Sequence, residues 1–178
     1  MSAASGLERR PSGRGPGTRV GLVADTHGLV RPGLLALLAG CDLILHAGDI
    51  GRGVLEALSA LAPVRAVQGN NDPPQAGPLY LDLTLDGVPI TLTHGHTLPP
   101  KGRPRALAER HPLARVIVYG HTHRAAEDEV PRPGGPPCLV INPGAAGPKR
   151  FGSPVKATAG LLETSGGGFT YTRNEIEP

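Results

Sequence analysis

The run Leu43-Ile44-Leu45-His46-Ala47-Gly48-Asp49 is apolar for most of its length and ends in a carboxylate. It is too short for a helix and polar residues flank it, which indicates a buried strand. Four further apolar runs end in the same way, each followed at once by residue types that bind metals: Asp25-Thr26-His27, Gly69-Asn70-Asn71-Asp72, His94-Gly95-His96 and Gly120-His121-Thr122-His123. This repetition predicts one site, built from loops at one edge of a sheet, with Asp49 at its centre.

Length and composition indicate a single loop-rich globular domain. The chain has 178 residues, of which 39% are hydrophobic but only 3% aromatic, with 26 Gly and 20 Pro, so the core is aliphatic and the loops are tight. The two cysteines, Cys41 and Cys138, form no Cys-x-x-Cys pattern, and we find no secretory signal, so we expect reduced thiols and a cytoplasmic location. No apolar run approaches the roughly 18 to 20 residues of a membrane-spanning helix.

The net charge of +3 comes from the N-terminus. Residues 1–19 contain four Arg and one Glu, whereas the remainder has 14 basic and 14 acidic residues. Because residues 1–18 lack apolar periodicity, we predict a disordered basic tail there, followed by a single domain over 19–175. Nucleic-acid binding would use a basic groove and aromatic stacking platforms, so a neutral core with two Phe, three Tyr and no Trp argues against it.

The first half of the domain alternates strands with helices. Strands are expected over 20–24, 41–47 and 64–68, and helices over 32–38 and 51–61. Such alternation favours a mostly parallel sheet that is covered on both faces.

The second half is rich in strands. Alternating apolar and polar residues around Asp86-Gly87 predict a hairpin over 79–93, and an exposed hairpin of this kind pairs easily, which favours a homodimer. We further expect a helix over 102–110, strands over 116–119, 138–141, 160–163 and 168–172, and a loop over the proline-rich residues 131–137. The chain is therefore predicted to contain two sheets.

The residue types at the strand ends suit two divalent metal ions. In two-metal phosphoester sites the ions lie about 3.5 to 4 Å apart, and the two oxygens of one Asp can each face an ion. Imidazole ligands favour metals such as Mn, Fe, Zn or Co over Mg or Ca. Residues two apart in an extended segment point to the same side, so Asp25 and His27 can reach one ion, as can His121 and His123 if that segment is extended.

Each motif taken singly has a simpler explanation. Gly-Asp and Gly-Asn pairs are common in turns, and loop histidines or a chance Asp-x-His are common in any chain. However, six of the seven histidines lie in or beside strand-end loops that also contain Asp25, Asp49 and Asn70. Their joint occurrence is what indicates a site.

In this order and spacing, the motifs resemble those of the calcineurin-like metallophosphoesterases, and especially their small bacterial and archaeal phosphodiesterase branch. The resemblance extends over residues 19–175 and includes the later Asn142-Pro143-Gly144. It implies an α/β (α+β) fold, a four-layer αββα sandwich of two mixed β-sheets flanked by helices. It also implies a first metal on Asp25, His27, Asp49 and His123, and a second on Asp49, Asn70, His94 and His121.

The activity that the resemblance implies is binuclear, metal-dependent hydrolysis of a small phosphoester, by in-line attack of a metal-bridging hydroxide. Manganese is the first choice of metal, with Ni, Fe, Zn or Co as alternatives. Larger members have a His that protonates the leaving group where this chain has Asn71, so general-acid assistance is in question and a phosphodiesterase is favoured over a broad monoesterase. The alternative is a metal-binding protein-interaction module without catalysis, as in the retromer subunit of eukaryotes. Such modules lose ligands, and this chain retains all seven.

Residues beside these motifs have supporting roles in the same interpretation. His96 is expected to contact substrate or orient His94, and Asp72 to hold a ligand by a hydrogen bond. His46 is expected to be a hydrogen-bonded core residue and His111 a surface residue. Asn142 is placed in a turn that closes the floor of the site, with orientation of a ligand histidine as the alternative. The basic residues Lys101, Arg103, Arg105, Arg110 and Arg115 form either a solvated helix face or a surface for an anionic substrate.

Overall fold

Two five-stranded sheets form the centre of the molecule in the computed structural model, which describes residues 17–148 and 156–177. The predicted tail lies outside the described residues except for Gly17 and Thr18, and Thr18 already begins the first strand. In chain order the elements are β1 (Thr18–Val23), α1 (Pro32–Leu38), β2 (Leu43–His46), α2 (Val54–Ser59), β3 (Val64–Ala66), a 3-10 turn (Pro74–Ala76), β4 (Tyr80–Leu85), β5 (Val88–Thr93), α3 (Arg103–Arg110), β6 (Val116–Val118), β7 (Ala126–Arg132), β8 (Gly135–Asn142), β9 (Thr158–Ser165) and β10 (Gly168–Glu175).

Both sheets are mixed. The first, sheet A, has the order β10-β9-β1-β2-β3, in which β1, β2 and β3 are parallel and the late strands β9 and β10 add to the edge in antiparallel fashion. The second, sheet B, has the order β4-β5-β6-β8-β7, with β5, β6 and β8 parallel between antiparallel edge strands. Of the parallel strands that precede the metal-ligand motifs, β1, β2, β5 and β6 are therefore inner strands, and β3 is the edge strand of sheet A.

Side-chain alternation along the strands produces the layers. In β1, Val20 and Leu22 point between the sheets and meet residues of sheet B such as Ile90 and Leu92, all fully buried. Val23 points the other way and packs under α1 and α2. Because successive residues of a strand face opposite sides, one apolar strand supplies two cores at once.

Of the helices in residues 17–148 and 156–177, one, α3, covers the outside of sheet B. Leu107 of α3 packs on Ile117 of β6 and Val140 of β8, so α3 lies over the β6–β8 side of the sheet. Two helices on one side, two sheets and one helix on the other confirm the predicted four-layer sandwich. Among the described residues, no helix lies over the outer face of the β4–β5 hairpin.

The prediction of a loop over the proline-rich residues 131–137 is wrong. Here β7 and β8 form a hairpin whose turn is only Pro133-Gly134. Proline is tolerated because β7 is an edge strand, and the register shifts at Pro131, between Val130 and Arg132, where a backbone donor is dispensable. In β7 the positions that are half-buried include Asp128 and Arg132, so its alternation of burial is not visible as an alternation of apolar and polar residues.

Both cysteines, Cys41 and Cys138, are buried, and no disulfide joins them. Within residues 17–148 and 156–177, the helices are all too short to cross a bilayer.

Candidate metal centre

The predicted site residues meet at one edge of the two sheets. Parallel strands end at the same edge, and the loops after β1, β2 and β3 of sheet A face those after β5 and β6 of sheet B. The structure brings together all seven predicted ligands, namely Asp25, His27, Asp49, Asn70, His94, His121 and His123.

The first cluster has four possible ligands whose donor atoms all lie within 4.8 Å of one another: Asp25, His27, Asp49 and His123. The Nε2 atoms of His27 and His123 are 3.1 Å apart, and His123 Nε2 is 3.4 Å from Asp25 Oδ1. The second oxygen of Asp25 is buried and has no hydrogen-bond partner within the part of the chain that the structure describes. An orphaned buried carboxylate oxygen beside two converging imidazoles is the donor set that a divalent metal satisfies.

The second cluster is centred on the side-chain oxygen of Asn70. This Oδ1 is 3.1 Å from His94 Nε2 and 2.9 Å from His121 Nδ1. The Nδ1–H of His94 donates to the Ala47 carbonyl at 2.7 Å, which leaves the lone pair of Nε2 directed at the cluster. That Nε2 is also 3.5 Å from Asp49 Oδ2.

Asp49 is the residue common to both clusters, since its Oδ2 lies 3.8 Å from His27 Nε2 and 3.5 Å from His94 Nε2. Burial alone would raise the pKa of this carboxyl, which is only 2% exposed. The nearby His94 imidazole and hydrogen bonds from the backbone and side-chain amides of Asn71, at 2.9 and 2.7 Å, outweigh burial and hold the pKa of Asp49 well below its usual range. Asp49 therefore remains ionised at neutral pH.

The electrostatic potential of the site favours a cation. Burial would lower the pKa of His94, but its hydrogen bond to Asp49, the charge of Asp25 and the Ala47 carbonyl together raise it. The same negative field that attracts a proton to this imidazole attracts a metal ion, because both are positive charges at the same lone pair.

Most of the candidate ligands have a backbone conformation with positive φ. Six non-glycine residues among those described have positive φ, and five of them are candidate ligands: Asp25 (52°), His27 (46°), Asp49 (53°), His121 (69°) and His123 (57°). This conformation is uncommon outside glycine and costs of order 1 to 3 kcal/mol per residue. Two backbone hydrogen bonds that continue the β1–β2 ladder into the loops stabilise this conformation. Asp25 N–H donates to the Gly48 carbonyl and His27 N–H to the Asp49 carbonyl, each at 3.0 Å.

Asp72 was expected to hold a ligand by a hydrogen bond, but the structure shows that it binds the backbone of two loops. Its Oδ1 accepts the backbone N–H of Ile50 and its Oδ2 that of Gly69, each at 2.8 Å. These peptide groups are the neighbours of Asp49 and Asn70 in the sequence. Asp72 thus fixes the spacing between two candidate ligands through their backbones.

Replacing Asp72 by Asn is expected to lower metal affinity about 10- to 100-fold, because an amide NH₂ would face a backbone N–H where a carboxylate oxygen now accepts it. Titration of the metal-stripped protein with Mn²⁺, followed by calorimetry, measures this change. An affinity equal to that of the wild type would show that the backbone anchor is dispensable.

His46 is a buried, hydrogen-bonded histidine, as predicted, and it supports the site from below. Its Nδ1 accepts the Gly48 N–H at 3.2 Å, so the proton lies on Nε2, which donates to Thr26 Oγ1 at 2.8 Å. The Thr26 hydroxyl in turn donates to the Ile50 carbonyl at 2.7 Å. Burial, partly offset by the charges of Asp72 and Asp49, lowers the pKa of His46 to about 4. No sequence signal marked Thr26 as part of this network.

This network predicts a loss of stability in mild acid. The unfolded imidazole binds its proton near pH 6.5 and the folded one near pH 4, so the unfolded state takes up more protons in that window and the free energy of unfolding falls as the pH falls. The loss reaches about 3 kcal/mol by pH 4. Denaturant unfolding of metal-free protein from pH 7 to pH 4 measures it, and His46→Gln should lack this component. An identical pH dependence in both proteins would contradict the assignment.

Asn142 closes the floor of the site and orients a loop of ligands. Its Nδ2 donates to the Gly120 carbonyl at 2.8 Å and to Thr122 Oγ1 at 2.9 Å, on either side of His121. Its Oδ1 accepts the N–H of Gly144 at 2.9 Å, as in an Asx turn. Asn142 therefore lies in the predicted turn and holds the residues on either side of His121, and its hydrogen bonds are to these neighbours and not to the imidazole.

His96 lies beside the second cluster without joining it. Its ring centroid is 5.3 Å from that of His94 and 6.3 Å from that of His121, and its buried Nδ1 has no partner among the described residues.

His111, expected on the surface, is half-buried, and its ring centroid is 5.3 Å from that of Tyr80.

The basic segment is not uniformly solvated. Arg105 is exposed and pairs with Glu109 at 2.8 Å, as a solvated helix face would. Arg103, by contrast, is 4% exposed and donates from Nη2 to the Leu98 carbonyl at 3.0 Å. It anchors the turn that follows His96, a role that the sequence does not reveal because Arg is usually exposed.

Residues 18–167 match the model of the calcineurin-like phosphoesterase superfamily domain. The chain belongs to this superfamily. It is 30% identical over 149 residues to a probable metallophosphoesterase of Methanothermobacter thermautotrophicus, covering 76% of this chain and 81% of the relative. It is 26% identical over 167 residues to a phosphodiesterase of Methanocaldococcus jannaschii, covering 82% and 93% respectively.

Among solved structures, wild-type Vps29 of Entamoeba histolytica in complex with Zn²⁺ is similar, with a TM-score of 0.69, 23% identity and coverage of 89% of this chain and 99% of that one. This likeness concerns the fold alone.

Proposed function

We propose that this chain is a binuclear metal-dependent phosphodiesterase that acts on a small phosphoester, with residues 19–175 as its single domain. The observation that carries the proposal is the position of Asp49, a buried and ionised carboxylate between two clusters that each contain two histidines. The phosphodiesterase of Methanocaldococcus jannaschii among the relatives supports the reaction class.

The seven candidate ligands divide into two sets that share one residue. One ion would be held by Asp25, His27, Asp49 and His123, and the other by Asp49, Asn70, His94 and His121. The mixture of imidazole and oxygen donors suits Mn²⁺, with Ni, Fe, Zn or Co as alternatives. The Zn²⁺ complex of a structural neighbour is consistent with a transition metal in this fold.

Bound divalent ions supply Lewis-acid chemistry: they acidify water and neutralise charge on phosphoryl oxygens in the transition state. The protein residues supply position. His94 is held in one tautomer by the Ala47 carbonyl, and Asp49 is held in one orientation by Asn71. His96 stands next to the second cluster and its ring is half-exposed, which makes it the candidate for contact with a substrate oxygen.

The role of Asn71 bears on the class of substrate. Its amide donates to Asp49, so it serves the ligand and does not act as a proton donor to a leaving group. Without an acid at this position, alcohols that leave readily are hydrolysed best. We therefore infer a preference for diesters with good leaving groups over alkyl monoesters.

Hydrolysis of a chromogenic aryl phosphodiester and the matching monoester tests the proposal. The protein is stripped of metal, reloaded with Mn²⁺ and assayed beside metal-free protein. Metal-dependent turnover with the diester preferred is the expected result. Full metal occupancy without turnover of either compound would overturn it and would favour the protein-interaction module instead.

A further inference from the structure

The exposed apolar surface of this protein is concentrated at one place. Of the residues that the structure describes, only three large hydrophobic side chains are exposed: Leu79 (48%), Tyr80 (55%) and Leu113 (85%). All three line one open groove of about 1130 Å³. Contiguous apolar surface of this kind, unlike single exposed side chains, marks a contact site.

The groove exists because the fourth layer of the sandwich is incomplete. Its floor is the β4–β5 hairpin, over which no helix lies among the described residues. Its wall is the end of α3, with Leu107 and Arg110, and the segment from His111 to Ala114 that leads into β6. Leu113 projects from this wall, so the same surface carries both a protruding apolar side chain and a groove in which Leu79 and Tyr80 are exposed.

The charges of the groove are also of both signs. Asp82 on β4 and Arg110 on α3 are exposed and line the groove, yet within the described residues no ion pair joins them. The charges of both act on His111, which lies near them. A surface with one acidic and one basic group can meet its own copy so that opposite charges face each other.

From these observations we infer that a second copy of this chain covers the groove. A two-fold axis brings the same patch of both subunits together, so the patch must complement itself. In shape, Leu113 of one copy would enter the groove of the other beside Leu79 and Tyr80. In charge, Asp82 of one copy would face Arg110 of the other. The contact supplies the missing part of the fourth layer of each subunit. The groove lies beyond the candidate ligands, so this inference is independent of the proposed function.

The mass of the full chain in solution tests the inference. Light scattering coupled to size-exclusion chromatography, over protein concentrations from 1 to about 100 μM, is expected to give about twice the chain mass of 18.3 kDa at the upper end. Leu113→Glu places a charge at the centre of the contact and is expected to weaken association about 30-fold or more. Ala60→Glu adds the same charge at an exposed position at the end of α2, on the opposite side of the sandwich, and should leave association unchanged.

Two further measurements make the result decisive. Circular dichroism and thermal unfolding verify that Leu113→Glu is folded, and Leu113→Ser serves in its place if it is not. Arg110→Asp should weaken association, and adding Asp82→Arg should restore it if these groups face each other between copies. A monomeric wild type at the highest concentration, an undiminished dimer in the folded Leu113 variant, or a charge-swapped double variant as weak as Arg110→Asp alone would each overturn the inference.

Discussion

Replacing Asp49 by Asn is expected to reduce metal-dependent hydrolysis by well over 100-fold, more than the roughly 10- to 100-fold that loss of an outer-shell partner produces. Asn has the size of Asp but lacks its charge, and its NH₂ would oppose the donors that Asn71 now directs at the carboxylate. Because Asp49 belongs to both clusters, the variant should also bind fewer than two ions. Turnover of the aryl diester and the metal content by mass spectrometry measure the two effects.

Glu129→Gln provides the matched control, since it makes the same chemical change on an exposed residue of β7, away from the site. It should retain both activity and metal content. Activity of Asp49→Asn within tenfold of the wild type would contradict the central place of Asp49.

Replacing Gly69 by Ala is expected to disrupt the metal centre from the backbone. A Cβ at this position would lie 2.1 Å from Asp49 Oδ1 and 2.3 Å from Asp49 N. Its φ lies outside the left-handed region, so the effect is steric and not conformational. Overpacking of this kind costs about 1 to 3 kcal/mol of stability, and here the group that must move is the shared candidate ligand. Loss of most Mn²⁺ binding, with a lower free energy of unfolding, is the expected result.

Gly135→Ala tests the same substitution where there is room. A Cβ there meets no atom within 4 Å, and the residue begins β8, away from the site. Equal Mn²⁺ affinity in the two alanine variants would rule out close approach at Gly69 as a requirement of the site.

The sequence was most informative where apolar runs were short and bounded. The predicted helix over 32–38 coincides with α1. The predicted hairpin coincides with β4 and β5, and its turn residues Asp86 and Gly87 both adopt the positive φ that such a turn requires. The order of the motifs predicted the convergence of seven side chains, since parallel strands end at one edge. The first two features depend on local sequence alone, whereas the third follows from the parallel arrangement of the strands that precede the motifs.

What escaped prediction depends on tertiary contacts. β7 is a strand because β8 lies beside it, and neither its acidic residues nor Pro131 indicates this. Asp72 was expected to hold a ligand side chain, whereas the peptide groups of two loops meet at its carboxylate. Arg103 has the sequence environment of a solvated residue, and only the fold of the turn at Leu98 buries it. Such roles arise between segments distant in sequence.

Each ligand cluster draws on both sheets. The first combines three residues from the loops of sheet A with His123 from sheet B, and the second joins Asn70 and Asp49 to His94 and His121 across the same boundary. Ions bound there would cross-link two layers that otherwise meet through aliphatic side chains. The unfolding temperature should therefore rise with free metal concentration, as ligand linkage requires. An aliphatic interface resists least the sliding of one sheet over the other. Ions bound at the site would oppose this motion at the edge where the site lies.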